Sequence, residues 1–139
     1  MGRWAAVVGI VILGGLAIGA AFAADDDLDG VWVGDLRQVN VGSEDTYPMT
    51  LKLMGALGET DYSSLSCGGR LARIGAANRQ AVYSETIIRG RVDATTGKGC
   101  IDGFIVIQRY GSSLIIEWAG AYNGQPYVAT GILKRGPAN

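Results

Sequence analysis

The chain of 139 residues contains no histidine. Histidine is the usual general base beside serine and cysteine nucleophiles and the commonest metal ligand, so its absence excludes most sites of those kinds. The only cysteines, Cys67 and Cys100, cannot complete a tetrahedral metal site by themselves. We therefore predict no metal, no cofactor and no catalytic residues, and the protein is not expected to be an enzyme.

A cluster of basic residues is also missing. The chain has 12 lysines and arginines against 13 aspartates and glutamates. Binding to nucleic acid needs a basic stripe, and adhesion to anionic lipid needs a polybasic segment. Neither is present, so we expect no nucleic-acid partner. The membrane is expected as a partner only if residues 4–24 stay attached to the domain.

Charged residues are absent from residues 4–24, which follow Arg3. The segment ends in Ala21-Phe22-Ala23, a small-x-small pattern that predicts cleavage by signal peptidase and a signal peptide over residues 1–23. The alternative is an uncleaved anchor, since about 20 apolar residues also span a bilayer. Both place the acidic leader, residues 24–29, and the domain outside a bacterial cytoplasm: periplasmic or secreted in the first case, anchored to the inner membrane in the second.

Residues 30–136 are typical of an all-β domain. Short apolar or β-branched segments are separated by turn residues at intervals of about ten residues, as in antiparallel sandwiches and barrels. The eight predicted strands are residues 31–39, 47–54, 60–67, 70–74, 81–91, 100–110, 114–122 and 127–134. Short turns make them a meander, and closure removes its two exposed edges. We therefore predict an eight-stranded antiparallel barrel, with room inside for side chains or one small ligand.

The two cysteines predict one disulfide bond. A single pair of thiols in an exported domain tends to be oxidised, so Cys67 and Cys100 are expected to be bonded. A redox-active pair is the alternative, but it normally has Cys-x-x-Cys spacing, whereas these residues are 33 positions apart.

The first predicted strand opens with Gly30-Val31-Trp32. This resembles the Gly-x-Trp opening of lipocalin-like and avidin-like barrels, together called calycins. The resemblance implies an antiparallel barrel in which a basic residue of the last strand, Arg135 or Lys134, packs over Trp32 and closes one end.

The chain also resembles a kind of exported bacterial domain whose function is uncharacterised. The shared motifs are Gly-x-Trp-x-Gly at residues 30–34, Tyr-Ser-x-Leu-x-Cys-Gly-Gly at 62–69, Glu-x-Ile at 85–87, a second cysteine at 100 and Gly-x-Leu-x-Arg at 131–135. Similar domains look like sensory or binding appendages, so this resemblance implies a fold more than a function.

The acidic leader matches the first half of an EF-hand calcium loop, through Asp25, Asp27, Asp29 and Gly30. The twelfth position of such a loop holds a bidentate glutamate, but here it is Leu36. We therefore predict a solvated acidic leader, with weak calcium binding as the alternative.

Two glutamates, Glu85 and Glu117, lie within apolar strands. Because strand side chains alternate between faces, the favoured prediction is that one or both point to solvent. In the alternative, a glutamate faces the barrel interior and needs an arginine or hydroxyl partner, and paired carboxylates would be typical of glycoside hydrolysis.

Most aromatic side chains are expected to fill the core and pair across strands. Trp118 and Tyr122 are predicted exceptions, because they share a strand face that leads to Asn123 and its loop. Together with Asn123 and Tyr62 they form the predicted ligand- or partner-binding set.

The sequence therefore predicts a non-catalytic exported binding module that recognises a small ligand, or another envelope or secreted protein, at one end of a barrel. The alternatives are an accessory subunit of an envelope complex, an inhibitor of an exported hydrolase, and an enzyme based on carboxylates.

Overall fold

A computed structural model of the chain describes residues 28–40 and 42–137. The predicted signal peptide and the first part of the acidic leader lie outside the described residues. We number the strands in chain order: β1 Gly30–Asn40, β2 Ser43–Met54, β3 Leu57–Tyr62, β4 Cys67–Ala77, β5 Gln80–Arg89, β6 Gly103–Tyr110, β7 Ser113–Tyr122 and β8 Gln125–Arg135. The described residues contain one short 3₁₀ turn, Ser63–Leu65. Within the same ranges, no helix has the length and hydropathy required to cross a membrane.

Each strand pairs antiparallel with the next, and β1 pairs with β8, so the sheet closes into a barrel. The closing seam runs from Trp32 opposite Arg135 to Val39 opposite Val128. This confirms the predicted all-β, eight-stranded antiparallel meander barrel, which is consistent with a calycin-like fold.

Several strand boundaries differ from the prediction: β2 and β3 begin earlier, at Ser43 and Leu57, and β4 covers Cys67–Ala77 instead of residues 70–74. The third strand ends at Tyr62, and Cys67 begins β4 instead of ending the preceding strand. Between them the chain makes the 3₁₀ turn and passes through Ser66, whose φ of 54° is left-handed and breaks the extended run. Similarly, β6 begins at Gly103, because Cys100 still belongs to the loop before it.

Alternate residues of each strand point into one apolar core. The largest fully buried side chains are Trp32, Tyr83, Leu36, Met49, Leu51, Leu53, Leu71, Ile105, Ile107, Leu114, Ile116 and Leu133. Burying each aliphatic side chain of this kind stabilises the fold by about 1.5–3 kcal/mol before the entropic cost of ordering it.

The start of β1 closes one end of the barrel around Trp32. The indole is fully buried, and its Nε1 donates a hydrogen bond to the carbonyl oxygen of Leu28 at 2.8 Å. The guanidinium carbon of Arg135 lies 4.1 Å from the ring centroid and that of Arg109 lies 5.4 Å away, both within cation–π range. The structure places Arg135 over Trp32, whereas Lys134, the other residue suggested by the calycin resemblance, is exposed.

Candidate functional site

The opposite end of the barrel holds a cavity of about 460 Å³. Small-molecule sites typically measure ~300–1,000 Å³. The walls come from the strand ends at this end of the barrel, the 3₁₀ turn and the loop between β5 and β6. The aromatic lining residues are Tyr47, Tyr62, Trp118, Tyr122 and Tyr127, and the polar ones are Gln38, Asp45, Thr46, Ser64 and Glu85.

The most unusual lining residue is Glu85, a carboxylate that is only 2% exposed. Strand β5 alternates strictly, so that Ala81, Tyr83, Glu85 and Ile87 all point inward. A buried carboxylate requires hydrogen-bond donors, because leaving its oxygens unsatisfied costs several kcal/mol.

Three donors from two other strands satisfy Glu85. Its Oε1 accepts hydrogen bonds from the hydroxyls of Thr60 at 2.5 Å and Tyr62 at 2.8 Å, and its Oε2 accepts one from the Trp118 indole N–H at 2.7 Å. Thr60 is itself held, because its hydroxyl oxygen accepts the backbone N–H of Gly69 at 3.0 Å. The three donors to Glu85 are uncharged, so the contacts stabilise its negative charge without neutralising it.

Three glycines make room for this cluster. Gly103 and Gly120 are register partners, and a Cβ on either would lie 2.7 or 2.6 Å from carbon atoms of the Trp118 indole. A Cβ on Gly69 would lie 2.9 Å from Cγ of Glu85. Because real Cβ contacts are longer, alanine at any of these positions would displace the cluster.

Burial sets the electrostatics of the cavity. It raises the pKa of Glu85, and this effect outweighs the three hydrogen bonds, which act in the opposite direction. Burial and the charge of Glu85 also raise the pKa of Tyr62 well above its usual value and that of Tyr47 to about 12. Both tyrosines are therefore neutral donors at physiological pH.

The loop between β5 and β6 is fixed beside the mouth of the cavity. Cys67, at the start of β4, and Cys100, in the loop, form the predicted disulfide pair, with their Cα atoms 6.2 Å apart. Arg91 makes a two-pronged ion pair with Asp102 at 2.7 and 2.9 Å, and Asp102 also accepts the backbone N–H of Ile87 at 2.8 Å. The loop is thus tied to two different strands.

Three of the four predicted binding residues, Tyr62, Trp118 and Tyr122, line the cavity. Asn123 lies instead in the tight turn between β7 and β8, with a φ of 50°. Tyr62 and Trp118 contact Glu85, so their exposure is low, whereas Tyr122 is half-buried at the rim.

The structure separates the two glutamates that the sequence singled out. Glu117 lies on the exposed outer face of β7, as alternation predicts, whereas Glu85 lies inside the barrel. The prediction that one or both glutamates point to solvent therefore holds for Glu117, whereas Glu85 takes the alternative, inward orientation. Because they are on opposite faces of the sheet, they cannot act together as a catalytic pair.

Sequence reasoning did not select Tyr47, Tyr127 or Gln38 as lining residues. Each lies near the end of a strand at the open mouth, and Tyr47 donates a hydrogen bond to Gln38 at 2.9 Å. The positions of Tyr47 and Tyr127 near strand ends could have indicated their role. The sequence analysis instead assigned most aromatic residues to the core.

The residues 28–40 and 42–137 contain no group of three carboxylate or cysteine ligands that could hold a metal ion. Asp25 and Asp27 of the calcium-loop pattern lie outside these ranges. Asp29 accepts the backbone N–H of Gly55 at 2.8 Å, so it helps to fix the turn between β2 and β3.

Searches of protein-family models, curated proteins and solved structures find no match to this chain. The fold and the cavity therefore define the class by geometry: a closed eight-stranded antiparallel barrel, consistent with a calycin-like fold, with a ligand-sized cavity at one end.

Proposed function

We propose that this chain is an exported, non-catalytic binding protein that takes one small molecule into the open end of its barrel. The observation that carries the proposal is the cavity of about 460 Å³, which combines aromatic walls with a buried, hydrogen-bonded carboxylate. Aromatic and apolar walls that bring polar groups together in one cavity are typical of a small-molecule site.

The shape of the site favours a small molecule over a protein partner. The aromatic side chains with the predicted binding role line a concave cavity, whereas protein partners generally need a broad surface of about 800 Å² on each side. Glu85 and Glu117 lie on opposite faces of the sheet, which argues against a catalytic pair formed by these two residues and supports binding as the simpler role for this site.

Export to an oxidising compartment is supported by two independent features. The chain begins with the predicted signal segment, and Cys67 and Cys100 form a disulfide pair. Disulfides persist in the periplasm and outside the cell and are rare in the cytosol. Anchoring by residues 4–24 is the alternative localisation, and the N-terminus of the purified protein distinguishes the two.

The test is a thermal-shift screen of the purified protein with fragment-sized compounds. A ligand that binds only the folded state stabilises it, by about 2.7 kcal/mol at a hundred times its Kd. We expect Tyr122→Ala to weaken binding of the hits about fivefold or more, because loss of an aromatic anchor typically costs over 1 kcal/mol. Tyr110→Ala is the matched control, since Tyr110 is 67% exposed at the closed end.

Equal binding of every hit to both variants and to the unaltered protein would contradict the cavity as the binding site. Turnover of a hit that is abolished by Glu85→Gln would replace the binding proposal with an enzyme.

A further inference from the structure

The charge around the cavity is negative. Its lining includes Glu85 and Asp45, and none of the lining residues in the described chain is a lysine or arginine. Lys98 lies between two lining glycines, but its side chain is exposed to solvent. A ligand that enters the cavity therefore meets carboxylates without an opposing cation.

Two arginines at this end of the barrel, one at the end of β5 and one in the loop after it, are already engaged by other carboxylates. Arg89 pairs with Asp61, and Arg91 pairs with Asp102 at 2.7 Å. These pairs cancel their own charges locally and leave the charge of Glu85 uncompensated. An anionic ligand would have to approach Glu85 at short range, where repulsion in a poorly solvated site is strong.

The aromatic lining suits a positive charge. Tyr, Trp and Phe rings attract cations through the negative potential above their faces, with Trp the strongest, and the attraction grows as the site loses water. Five such rings surround the space beside Glu85. Tyr62 and Trp118 also donate hydrogen bonds to Glu85, which makes their rings richer in electrons.

The carboxylate retains capacity for one more partner. A carboxylate offers about four lone-pair positions, and the three hydrogen bonds to Glu85 leave one, on Oε2, where only Trp118 donates. A bound cation would supply the opposite charge that the three uncharged donors do not supply.

Building on the proposed function, we propose that the ligand is an organic ammonium ion, with its charged nitrogen beside Glu85 and its apolar part against the aromatic rings. A bare metal ion fits less well, because metal ions need several oxygen ligands and the described residues bring no further carboxylate cluster to Glu85.

The experiment compares three probes that share a phenylalkyl scaffold and carry a positive, a neutral or a negative head group: 3-phenylpropylammonium, 3-phenyl-1-propanol and 3-phenylpropanoate. Binding to the purified protein is measured by calorimetry near neutral pH. We expect the ammonium probe to bind about tenfold more tightly than the alcohol, a difference of about 1.4 kcal/mol, and the carboxylate probe to bind most weakly. Trimethyl(3-phenylpropyl)ammonium then shows whether an N–H donor is required.

The variant Glu85→Gln removes the charge and keeps the shape. A glutamine oxygen can accept from the Trp118 N–H, and its NH₂ group can donate to the hydroxyl oxygens of Thr60 and Tyr62, because hydroxyl hydrogens rotate. We expect the ammonium probe to lose about tenfold in affinity, equal to about 1.4 kcal/mol, while the alcohol changes little. Glu117→Gln makes the same chemical change on the outer face and should leave both probes unchanged.

A second variant keeps the test valid if Glu85→Gln fails to fold. Tyr127→Leu removes one partly exposed lining ring and retains apolar bulk. It should weaken the ammonium probe more than the alcohol, because only the cation uses the ring potential. An equal loss for both probes would count against the proposal.

The outcomes separate the ligand class from the function. If the alcohol or the carboxylate binds as tightly as the ammonium probe, or if only compounds of other classes from the screen bind in the cavity, the ammonium assignment is wrong and the binding function stands. If neither these probes nor any compound of the screen binds, both proposals fail.

Discussion

The cluster around Glu85 makes a prediction that requires no ligand. Two substitutions separate its charge from its hydrogen-bonding role. Glu85→Gln removes the charge and preserves an acceptor for the Trp118 N–H, whereas Glu85→Leu removes every acceptor. The hydrogen bonds of this cluster therefore predict different stabilities for the two variants.

The magnitudes follow from the contacts. In the Glu85→Leu variant the Trp118 N–H and the Tyr62 hydroxyl remain buried without their acceptor, and each such loss costs about 1–3 kcal/mol. We expect this variant to lose about 2–6 kcal/mol of unfolding free energy. In the Glu85→Gln variant the loss of charge-assisted hydrogen bonds is offset by removal of the desolvation cost, so we expect a change within about 1 kcal/mol at neutral pH.

The pH dependence has a defined sign. Because burial raises the pKa of Glu85 above its ordinary value of 4.5, the folded state holds this proton more tightly than the unfolded state does. The stability of the unaltered protein relative to Glu85→Gln is therefore greatest below about pH 4.5 and falls as the pH rises through the folded-state pKa. All other ionisable groups are the same in the two proteins, so their contributions cancel to first order in this comparison.

The assay is urea unfolding followed by tryptophan fluorescence at about pH 4 and about pH 7. Trp32 and Trp118 are both buried in the folded state and report the transition. If the unaltered protein becomes more stable relative to the Glu85→Gln variant as the pH rises, the pKa of Glu85 is lower in the folded state than in the unfolded state. That result would refute the expected direction of the pKa shift. Equal stability of the Leu and Gln variants would refute the hydrogen-bonded cluster.

Three further predictions concern the rest of the chain. Mass spectrometry of the exported protein should show that it begins at Ala24, and retention of residues 1–23 would favour the anchored form. Replacing Cys67 and Cys100 together by alanine should lower the unfolding free energy by about 4 kcal/mol in chemical denaturation, because the bond no longer restricts the unfolded chain. Free thiols in the unaltered protein, or a variant as stable as that protein, would contradict the bond. Trp32→Ala should cost about 3–5 kcal/mol of stability, whereas Tyr122→Ala should leave the melting temperature nearly unchanged. Similar losses for both variants would contradict the proposal that the Trp32 end of the barrel is structural and the Tyr122 end binds the ligand.

The fold could be predicted from the sequence because the patterns that indicate it lie within short segments of the chain. Alternating apolar residues and turn residues at regular intervals predict the number and order of the strands, and short connections predict a meander. The predicted strand boundaries are wrong near Ser66, because no residue type in this segment indicates that the serine adopts a left-handed conformation after a 3₁₀ turn. The boundaries therefore shifted around Cys67 while the topology did not.

The lining of the cavity could also be predicted in part. Trp118 and Tyr122 share a strand face, and both reach the cavity, because a period of two residues keeps them on one side. Asn123 does not follow them, since the chain turns there. The cavity depends on the lengths of all eight strands and on the position of the loop fixed by Cys100, which no single segment encodes.

The inward orientation of Glu85 could not be predicted from the sequence of its own strand. On β5 the inward residues include Ala81 and Tyr83, while the outward residues include Val82 and Ile88, which is 56% exposed. The outward face thus carries apolar residues beside Gln80, Ser84 and Thr86, and the inward face carries Glu85, so alternation alone does not determine which face is buried.

The donors that permit burial of Glu85 come from β3 and β7, and neither strand is a neighbour of β5 in the sheet, because β4 and β6 lie between them. The three strands meet only across the interior of the closed barrel. A carboxylate in an apolar strand is therefore predicted to be exposed when the strand is considered alone. Only the closed barrel brings Thr60, Tyr62 and Trp118 near enough to donate hydrogen bonds to it. The residue that sets the chemistry of the cavity is therefore one whose environment is created by the tertiary fold.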